Sequence, residues 1–156
     1  MKRVVVLGRG GSGKSTFCHR LSASTGLPVI ELDKVFWDES LKALTPEEWR
    51  GRQSKVAAEE KWIMDGDLGP FDVLEPRLTR ADTVAIVEPP LTVCLWRALR
   101  RGRRRADFWL WVLSWRRTYR PRILEDIQRY ASGVETVTLS SERDINNFLA
   151  VYSVGS

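Results

Sequence analysis

The sequence predicts an α/β fold in which a parallel sheet is covered by helices on both faces. Two observations support this prediction. Short apolar runs alternate with longer amphipathic stretches along the 156 residues, as expected when each strand is followed by a crossover helix. Within the first predicted strand, residues 2–7, the four residues 4–7 form a continuous apolar run, which is typical of a strand buried on both faces. A chain of this length is expected to form one domain with its own core.

The predicted elements follow from these runs in order. Strands are expected at residues 2–7, 29–32, 62–64, within 81–87 and at 134–139. Helices are expected at residues 14–24, 46–60, 70–78, 91–101, 107–117, 121–130 and about 142–151. The start of the second helix is the clearest, because Thr45, Pro46 and Glu48 form a capping box with proline in the first turn. Residues 38–44 are predicted to be a loop, and residues 102–105 an arginine-rich turn.

The first strand leads into a glycine-rich turn. Residues 8–15 read GRGGSGKS and match the phosphate-binding pattern G-x-x-x-x-G-K-S/T in full. The glycines let backbone N–H groups turn inward around an anion, and the following helix adds its positive dipole end. Lys14 is predicted to reach the β- and γ-phosphates of a nucleotide, and the Ser15 hydroxyl to bind Mg²⁺. The expected nucleotide-binding residues are Gly8, Gly10, Gly11, Ser12, Gly13, Lys14, Ser15 and Thr16.

Two aspartates follow the strands expected to flank this loop. Asp65 follows the third strand, where it is either a ligand of Mg²⁺ or a turn residue. Asp33 follows the second strand, where it either orients an acceptor hydroxyl and takes its proton or caps a turn. Trp37 either lines the same pocket or packs. Because ligands bind at the carboxyl ends of parallel strands, the loop and both aspartates predict one site.

Positive charge is concentrated in one segment. The net charge is +5, yet residues 97–122 contain ten arginines and one acid, while the remainder carries 15 basic and 19 acidic residues. Arg97 and Arg101 lie one helical turn apart, and we expect them to bind phosphate during catalysis. The later arginines are expected either to close over the phosphates as a lid or to be solvated. The candidates for the lid are Arg105, Arg116 and Arg120.

Aromatic residues crowd the helix within the arginine-rich segment. Phe108, Trp109, Trp111 and Trp115 either pack the helix on the body or form a wall for an acceptor or partner. Tryptophan interleaved with arginine is also compatible with nucleic-acid binding. The acidic remainder of the chain works against a broad basic footprint.

Other features limit the class of protein. The longest apolar run, residues 108–113, is far shorter than the ~20 residues that span a bilayer, and no signal-peptide pattern is present. Cys18 and Cys94 have no metal-ligand spacing and are expected to be buried free thiols. We therefore expect a cytoplasmic protein with no membrane contact, either a monomer or a homodimer.

The sequence resembles the P-loop kinases related to adenylate kinase, and more closely the small DNA topology modulation kinase-like family. This resemblance implies a three-layer P-loop NTPase fold with five parallel strands in the order 2-3-1-4-5. It also implies a single domain over residues 1–156 with a short helical lid at about residues 102–121, and phosphoryl transfer from ATP with Mg²⁺. Arg97 and Arg101 would then bridge donor and acceptor. The resemblance rests on residues 8–16, 32–33, 36–37, 62–66, 80–82, 97, 101 and 111–121.

The acceptor region departs from adenylate kinases. Those proteins carry an arginine for the acceptor phosphate shortly after the Asp-Gly pair, whereas Asp67 and Leu68 stand here. An acceptor phosphate would be repelled by Asp33. The expected substrate residues are therefore Asp33, Trp37 and Asp67, facing an acceptor without a phosphate.

The sequence thus predicts a kinase-like phosphotransferase that moves the γ-phosphate of ATP to a small acceptor. The acceptor is expected to be nucleoside- or nucleotide-like or a hydroxyl compound, and the departures favour the hydroxyl compound. The alternatives are a nucleic-acid-binding or regulatory P-loop ATPase, and a nucleotide-binding module with little catalysis.

Overall fold

The computed structural model describes residues 1–36, 44–102 and 106–152. Trp37 and Arg105 lie outside this part of the chain, as do most of the predicted 38–44 loop and 102–105 turn. The strands are β1 (Arg3–Leu7), β2 (Val29–Glu31), β3 (Trp62–Asp65), β4 (Thr83–Val87) and β5 (Glu135–Leu139). They form one parallel sheet in the order β2-β3-β1-β4-β5. The predicted fold class and strand order are confirmed.

The helices lie where crossovers are needed, and most begin and end within three residues of the prediction. Their bounds are α1 (Lys14–Thr25), α2 (Leu32–Phe36), α3 (Pro46–Ala57), α4 (Glu75–Leu78), α5 (Leu91–Arg100), α6 (Ala106–Ser114), α7 (Arg120–Tyr130) and α8 (Glu142–Tyr152). The predicted capping box is present at the start of α3, where Thr45 accepts from the Glu48 N–H and Glu48 accepts from the Thr45 N–H. No helix within the described ranges is long and apolar enough to cross a membrane.

Three local predictions were wrong. The helix expected over 70–78 is divided into a 3₁₀ turn at Gly69–Phe71 and the short α4, because Asp72 caps the turn and accepts hydrogen bonds from the Leu68 and Val73 N–H groups. Helix α2 begins directly after β2, so Asp33 lies in a helical first turn rather than at the end of a strand. The expected break near residue 118 is absent, since a π-helical turn at Trp115–Tyr119 joins α6 to α7.

The two faces of the central strand enter two separate cores. Val5 and Leu7 pack in a core that includes the buried Trp49 and Trp115. Val4 and Val6 face the other core, formed with α1 and α8. This alternation follows from the period-two geometry of a strand and explains why residues 4–7 of β1 are all apolar.

The strand register sets the position of the site. Val6 of β1 is paired with Asp65 of β3, and Leu7 is paired with Ile86 of β4. Three chain segments therefore leave the sheet side by side: the phosphate loop, the segment after Asp65, and the segment that begins at Glu88. All three lie at the carboxyl edge, where open α/β sheets bind ligands.

Candidate active site

The phosphate loop, residues 8–15, is held by close backbone contacts. Gly8, Gly11 and Gly13 have φ angles of 148°, 77° and 93°, which side chains rarely allow. A β carbon on Gly8 would lie 2.3 Å from the Val87 carbonyl oxygen, and one on Gly11 would lie 2.4 Å from the Cys94 carbonyl oxygen. These glycines therefore serve both the curvature of the loop and its fit between β4 and α5.

The catalytic lysine predicted from the motif lies inside the loop. Lys14 Nζ donates to the carbonyl oxygens of Gly8 at 2.6 Å and of Arg9 at 3.0 Å. The Ser12 side chain is buried, and its Oγ has no hydrogen-bond partner within the described ranges. The loop thus holds one ammonium group and an unused hydroxyl beside its backbone N–H groups.

Ser15 and Asp65 suit a magnesium ion bound jointly with phosphate. Asp65 is buried at the end of β3 beside β1, and Ser15 lies exposed in the first turn of α1. Burial, and after it the Asp65 carboxylate, raises the pKa of the Cys18 thiol, which stays neutral. Across the described residues, no group of three His, Cys, Asp or Glu side chains could hold a metal by itself. Mg²⁺ commonly takes one or two protein oxygens and completes its shell with phosphate and water, so Ser15 and Asp65 could supply its protein ligands.

A cavity of about 470 Å³ lies on one side of the loop. It runs from the start of α1 to the turn between β5 and α8. Arg97 and Arg101 both line it, and Arg97 Nη1 donates to the Ser12 carbonyl oxygen at 3.1 Å. Its volume is in the range of small-ligand sites. Other residues that line it are Ser12, Gly13, Thr16, Ser140, Ser141 and Glu142.

A second, smaller cavity of about 110 Å³ lies between the segment after β3 and α7. Asp67 is buried and lines this cavity from the segment after β3. Asp67 Oδ2 accepts from Trp115 Nε1 at 2.9 Å, and Oδ1 accepts from the Gly69 N–H at 2.9 Å. Burial, and after it the Asp72 charge, raises the pKa of Asp67, while Lys14 opposes the shift. The cavity is lined by Asp67, Gly69, Asp72, Leu74, Tyr119, Arg122, Ile123 and Asp126.

An ion pair beneath this cavity was not predicted. Arg77 is fully buried and donates to both Asp72 carboxylate oxygens, at 2.9 and 2.6 Å. Burial alone would raise the pKa of Asp72, but the Arg77 charge and its hydrogen bonds hold it below its usual range. Arg77 also donates to the Gly66 carbonyl oxygen at 3.3 Å. It therefore fixes the Asp-Gly turn as a structural group and does not face the cavity as a phosphate clamp.

The segment 106–120, which we call the docked segment, packs directly on the phosphate loop. A β carbon on Gly10 would lie 2.6 Å from the Phe108 ring and 3.1 Å from Trp111. A β carbon on Gly69 would lie 2.7 Å from Trp111 Nε1. The φ angle of Gly10 is not positive, in contrast to those of Gly8, Gly11 and Gly13. The absence of a side chain at position 10 is therefore required by the aromatic rings and not by the backbone conformation.

Glu88 links the docked segment to the loop by charge. Arg120 Nε donates to Glu88 Oε2 at 2.7 Å, while Arg116 Nε lies 3.5 Å and Arg9 Nη2 lies 3.6 Å from Oε1. The side chains of Glu88 and Arg9 are 8% and 4% exposed. The predicted lid arginines Arg116 and Arg120 thus contact Glu88. Sequence reasoning missed Glu88 and Arg9, and the one available signal was the position of Glu88 directly after an apolar strand.

Two of the predicted substrate residues, Asp33 and Asp67, do not lie in the same cavity. Asp33 lies on the exposed first turn of α2 and lines neither cavity, whereas Asp67 lines the smaller one. The structure therefore brings the phosphate loop together with Arg97 and Arg101 on one side and with Asp67 on the other.

Comparison of the sequence with family models and with curated proteins finds no match. Solved structures do match along nearly the whole chain. Shikimate kinase from Acinetobacter baumannii in complex with shikimate is 15% identical, with a TM-score of 0.58 over 97% of this chain and 90% of that one. A gluconokinase from Sinorhizobium meliloti 1021 is 18% identical, with a TM-score of 0.59 over 97% and 93%.

A third similar structure is deoxyadenosine kinase from M. mycoides with bound dATP, at 14% identity and a TM-score of 0.55 over 97% and 98% of the two chains. The chain has the P-loop kinase fold. At these identities the similarity shows the fold alone, and the resemblance to the topology modulation family stays a prediction.

Proposed function

We propose that this protein is an ATP-dependent phosphotransferase whose acceptor is a small hydroxyl compound without a phosphate. The observation that carries the proposal is that the phosphate loop lines one cavity and is connected to a second through Trp115, which contacts both Arg9 and Asp67. The larger cavity is lined by Ser12 and Gly13 of the loop. The smaller cavity is lined by Asp67, and the Lys14 charge lowers the pKa of that carboxyl, against the effect of burial. A phosphoryl group bound at the loop would lie between a donor and an acceptor.

The donor side suits a nucleoside triphosphate. The loop N–H groups and Lys14 would hold the phosphates, and Arg97 and Arg101 would balance their charge from the larger cavity. The base would lie toward the turn at Ser140 and Ser141. Ser15 and Asp65 would hold Mg²⁺, which, when bound, neutralises charge on the phosphate oxygens.

The acceptor side suits a neutral or cationic polar molecule. Asp67 and Asp126 face the cavity together with Arg122, while Asp72 is already paired with Arg77. A phosphate or carboxylate would therefore meet more negative than positive charge. Burial raises the pKa of Asp67 above that of an ordinary aspartate and so brings it closer to the operating pH, which favours a general base.

The proposed reaction needs one proton acceptor. The acceptor oxygen forms a bond to the γ-phosphorus, the bond from that phosphorus to the bridging oxygen breaks, and ADP leaves with the electron pair. Asp67 takes the hydroxyl proton. Catalysis is otherwise the work of positioning and charge, as is usual for phosphoryl transfer.

The test is a phosphotransfer screen with purified protein, using ATP and GTP against polyols, amino alcohols, nucleosides and nucleoside monophosphates. We expect turnover with an uncharged or cationic hydroxyl compound. Faster phosphorylation of a nucleoside monophosphate would overturn the acceptor proposal. ATP binding without turnover on any acceptor would favour the nucleotide-binding module.

A nucleic-acid-binding ATPase is a second candidate, supported by one observation. The Arg100 guanidinium stacks on the exposed Trp96 ring, 4.7 Å from its centroid, as in surfaces that bind single strands. For such a protein, Lys14→Ala would leave affinity for a labelled oligonucleotide intact, and affinity would fall steeply with salt. Salt-independent or undetectable binding would exclude this candidate.

A further inference from the structure

Glu88 forms ion pairs with arginines from two parts of the chain. Its buried carboxylate contacts Arg9 of the phosphate loop and Arg116 and Arg120 of the docked segment. Glu88 Oε1 and Arg9 Nε have no hydrogen-bond partner within the described ranges, so ion pairing is what compensates their burial there. Removing one member of a buried pair leaves an uncompensated charge, and the others then move toward water.

Two glycines without side chains, Gly10 and Gly69, leave room for aromatic rings of the docked segment. Phe108 and Trp111 occupy the volume that a side chain at position 10 would need, and Trp111 occupies the volume beside Gly69. Aromatic rings in contact with bare backbone bury much area, so the docked position is stabilised by packing as well as by charge. Gly10 belongs to the phosphate loop, and Gly69 lines the smaller cavity.

The docked segment also reaches the acceptor side. The Nε1–H group of the buried Trp115 donates to Asp67. The Arg9 guanidinium carbon lies over the Trp115 ring, 5.3 Å from the centroid of that ring. The π-helical turn then leads to Tyr119 and Arg122, which line the smaller cavity. One wall of that cavity therefore follows directly from the segment that Glu88 holds.

We infer that Glu88 is a positioning residue that docks segment 106–120 on the phosphate loop, and that this docking assembles the acceptor cavity. Arg116 and Arg120 of the segment thus act through Glu88 to place Trp115 and Tyr119 beside Asp67. The assignment of this cavity to an acceptor rests on the proposed function. The docking itself does not.

Hydrogen–deuterium exchange of the full chain without nucleotide tests the docking. We expect Glu88→Gln to speed amide exchange at least tenfold across 106–120 and to leave α3 unchanged. Glu75→Gln is the matched control, because Glu75 forms an ion pair with Arg50 on another surface. Exchange in 106–120 that is unchanged in folded Glu88→Gln would overturn the inference.

Gly10→Ala provides a second variant in case Glu88→Gln does not fold. It keeps every charge and adds one methyl group where the Phe108 ring lies, and we expect the same pattern of faster exchange. Gly51→Ala is its control, since a β carbon there meets nothing within 4 Å. Protection that is unaltered in Gly10→Ala would contradict the docking contact.

Kinetics separate this inference from the proposed function. With an acceptor in hand, Glu88→Gln should raise the acceptor KM tenfold or more, a larger factor than any change in the Kd of an ATP analogue. A change in ATP affinity alone would contradict the link to the acceptor cavity. Failure of every acceptor, with the exchange result intact, would refute the kinase proposal and leave the docking standing.

Discussion

The donor and acceptor sides of this site are built in different ways. On the donor side, one continuous stretch of eight residues supplies the loop, the lysine and the Ser15 hydroxyl. On the acceptor side, Asp67, Tyr119 and Arg122 come from segments some fifty residues apart. The donor side depends on backbone geometry, while the acceptor side depends on docking one segment on another. Variants on the two sides should therefore fail in different ways.

The largest expected effect is on the donor side. Lys14→Ala removes the only ammonium group that the structure shows hydrogen-bonded within the loop, and we expect kcat to fall on the order of 10²–10³-fold because charge on the transferred group is no longer balanced. Steady-state phosphotransfer measures it. Lys55→Ala, on the exposed side of α3, is the control. Wild-type turnover in Lys14→Ala would place phosphoryl transfer elsewhere.

The support under the acceptor side should be costly to break. Arg77→Met leaves the Asp72 carboxylate buried without its cation, and we expect a loss of about 3–5 kcal/mol in the free energy of unfolding. Denaturant unfolding measures this loss. Arg50→Met removes an exposed pair and should cost less than about 1 kcal/mol. Equal costs for the two variants would show that Arg77 does not hold this segment.

A more selective effect is expected at Asp67. Asp67→Asn removes the proposed proton acceptor, so kcat should fall on the order of 10²-fold while the Kd for an ATP analogue stays unchanged. Isothermal titration and turnover measured together distinguish the two sides. A parallel loss of ATP affinity would show that the sides are not separable in this way.

The smallest effect is on stability as a function of pH. Since the folded-state pKa of Asp67 is raised, ionised Asp67 disfavours the folded state. Its unfavourable contribution should be absent below the ordinary aspartate pKa of about 4 and grow as pH rises through the raised value. Thermal unfolding of wild type and Asp67→Asn across this range should show the gap shifting in favour of the variant as pH rises. A gap that shifts the other way would contradict the raised pKa.

The contrast also explains what the sequence could predict. The phosphate loop, its helix and the five strands follow from local patterns, because residues 8–15 and the continuous apolar runs act within a few residues of one another. Helix α2 was missed because Leu32 and Phe36 pack as helical neighbours in a stretch too short to show a period.

The contacts of Glu88 could not be predicted from local patterns. Its three arginine partners lie up to 79 positions away in the chain, and no local pattern in the sequence connects them to Glu88. The phosphate-binding motif accepts any residue at position 10. The reason for a glycine there is the Phe108 ring, which comes close only in the folded chain.

The most direct test of the central claim compares two aspartates. The acceptor kcat/KM should be measured for Asp67→Asn and Asp33→Asn beside the wild type, with one acceptor from the screen. If the acceptor binds in the smaller cavity, Asp67→Asn should lose about a hundredfold and Asp33→Asn, exposed on α2, less than threefold. A large loss in Asp33→Asn with an active Asp67→Asn would contradict the account and move the acceptor to the end of β2.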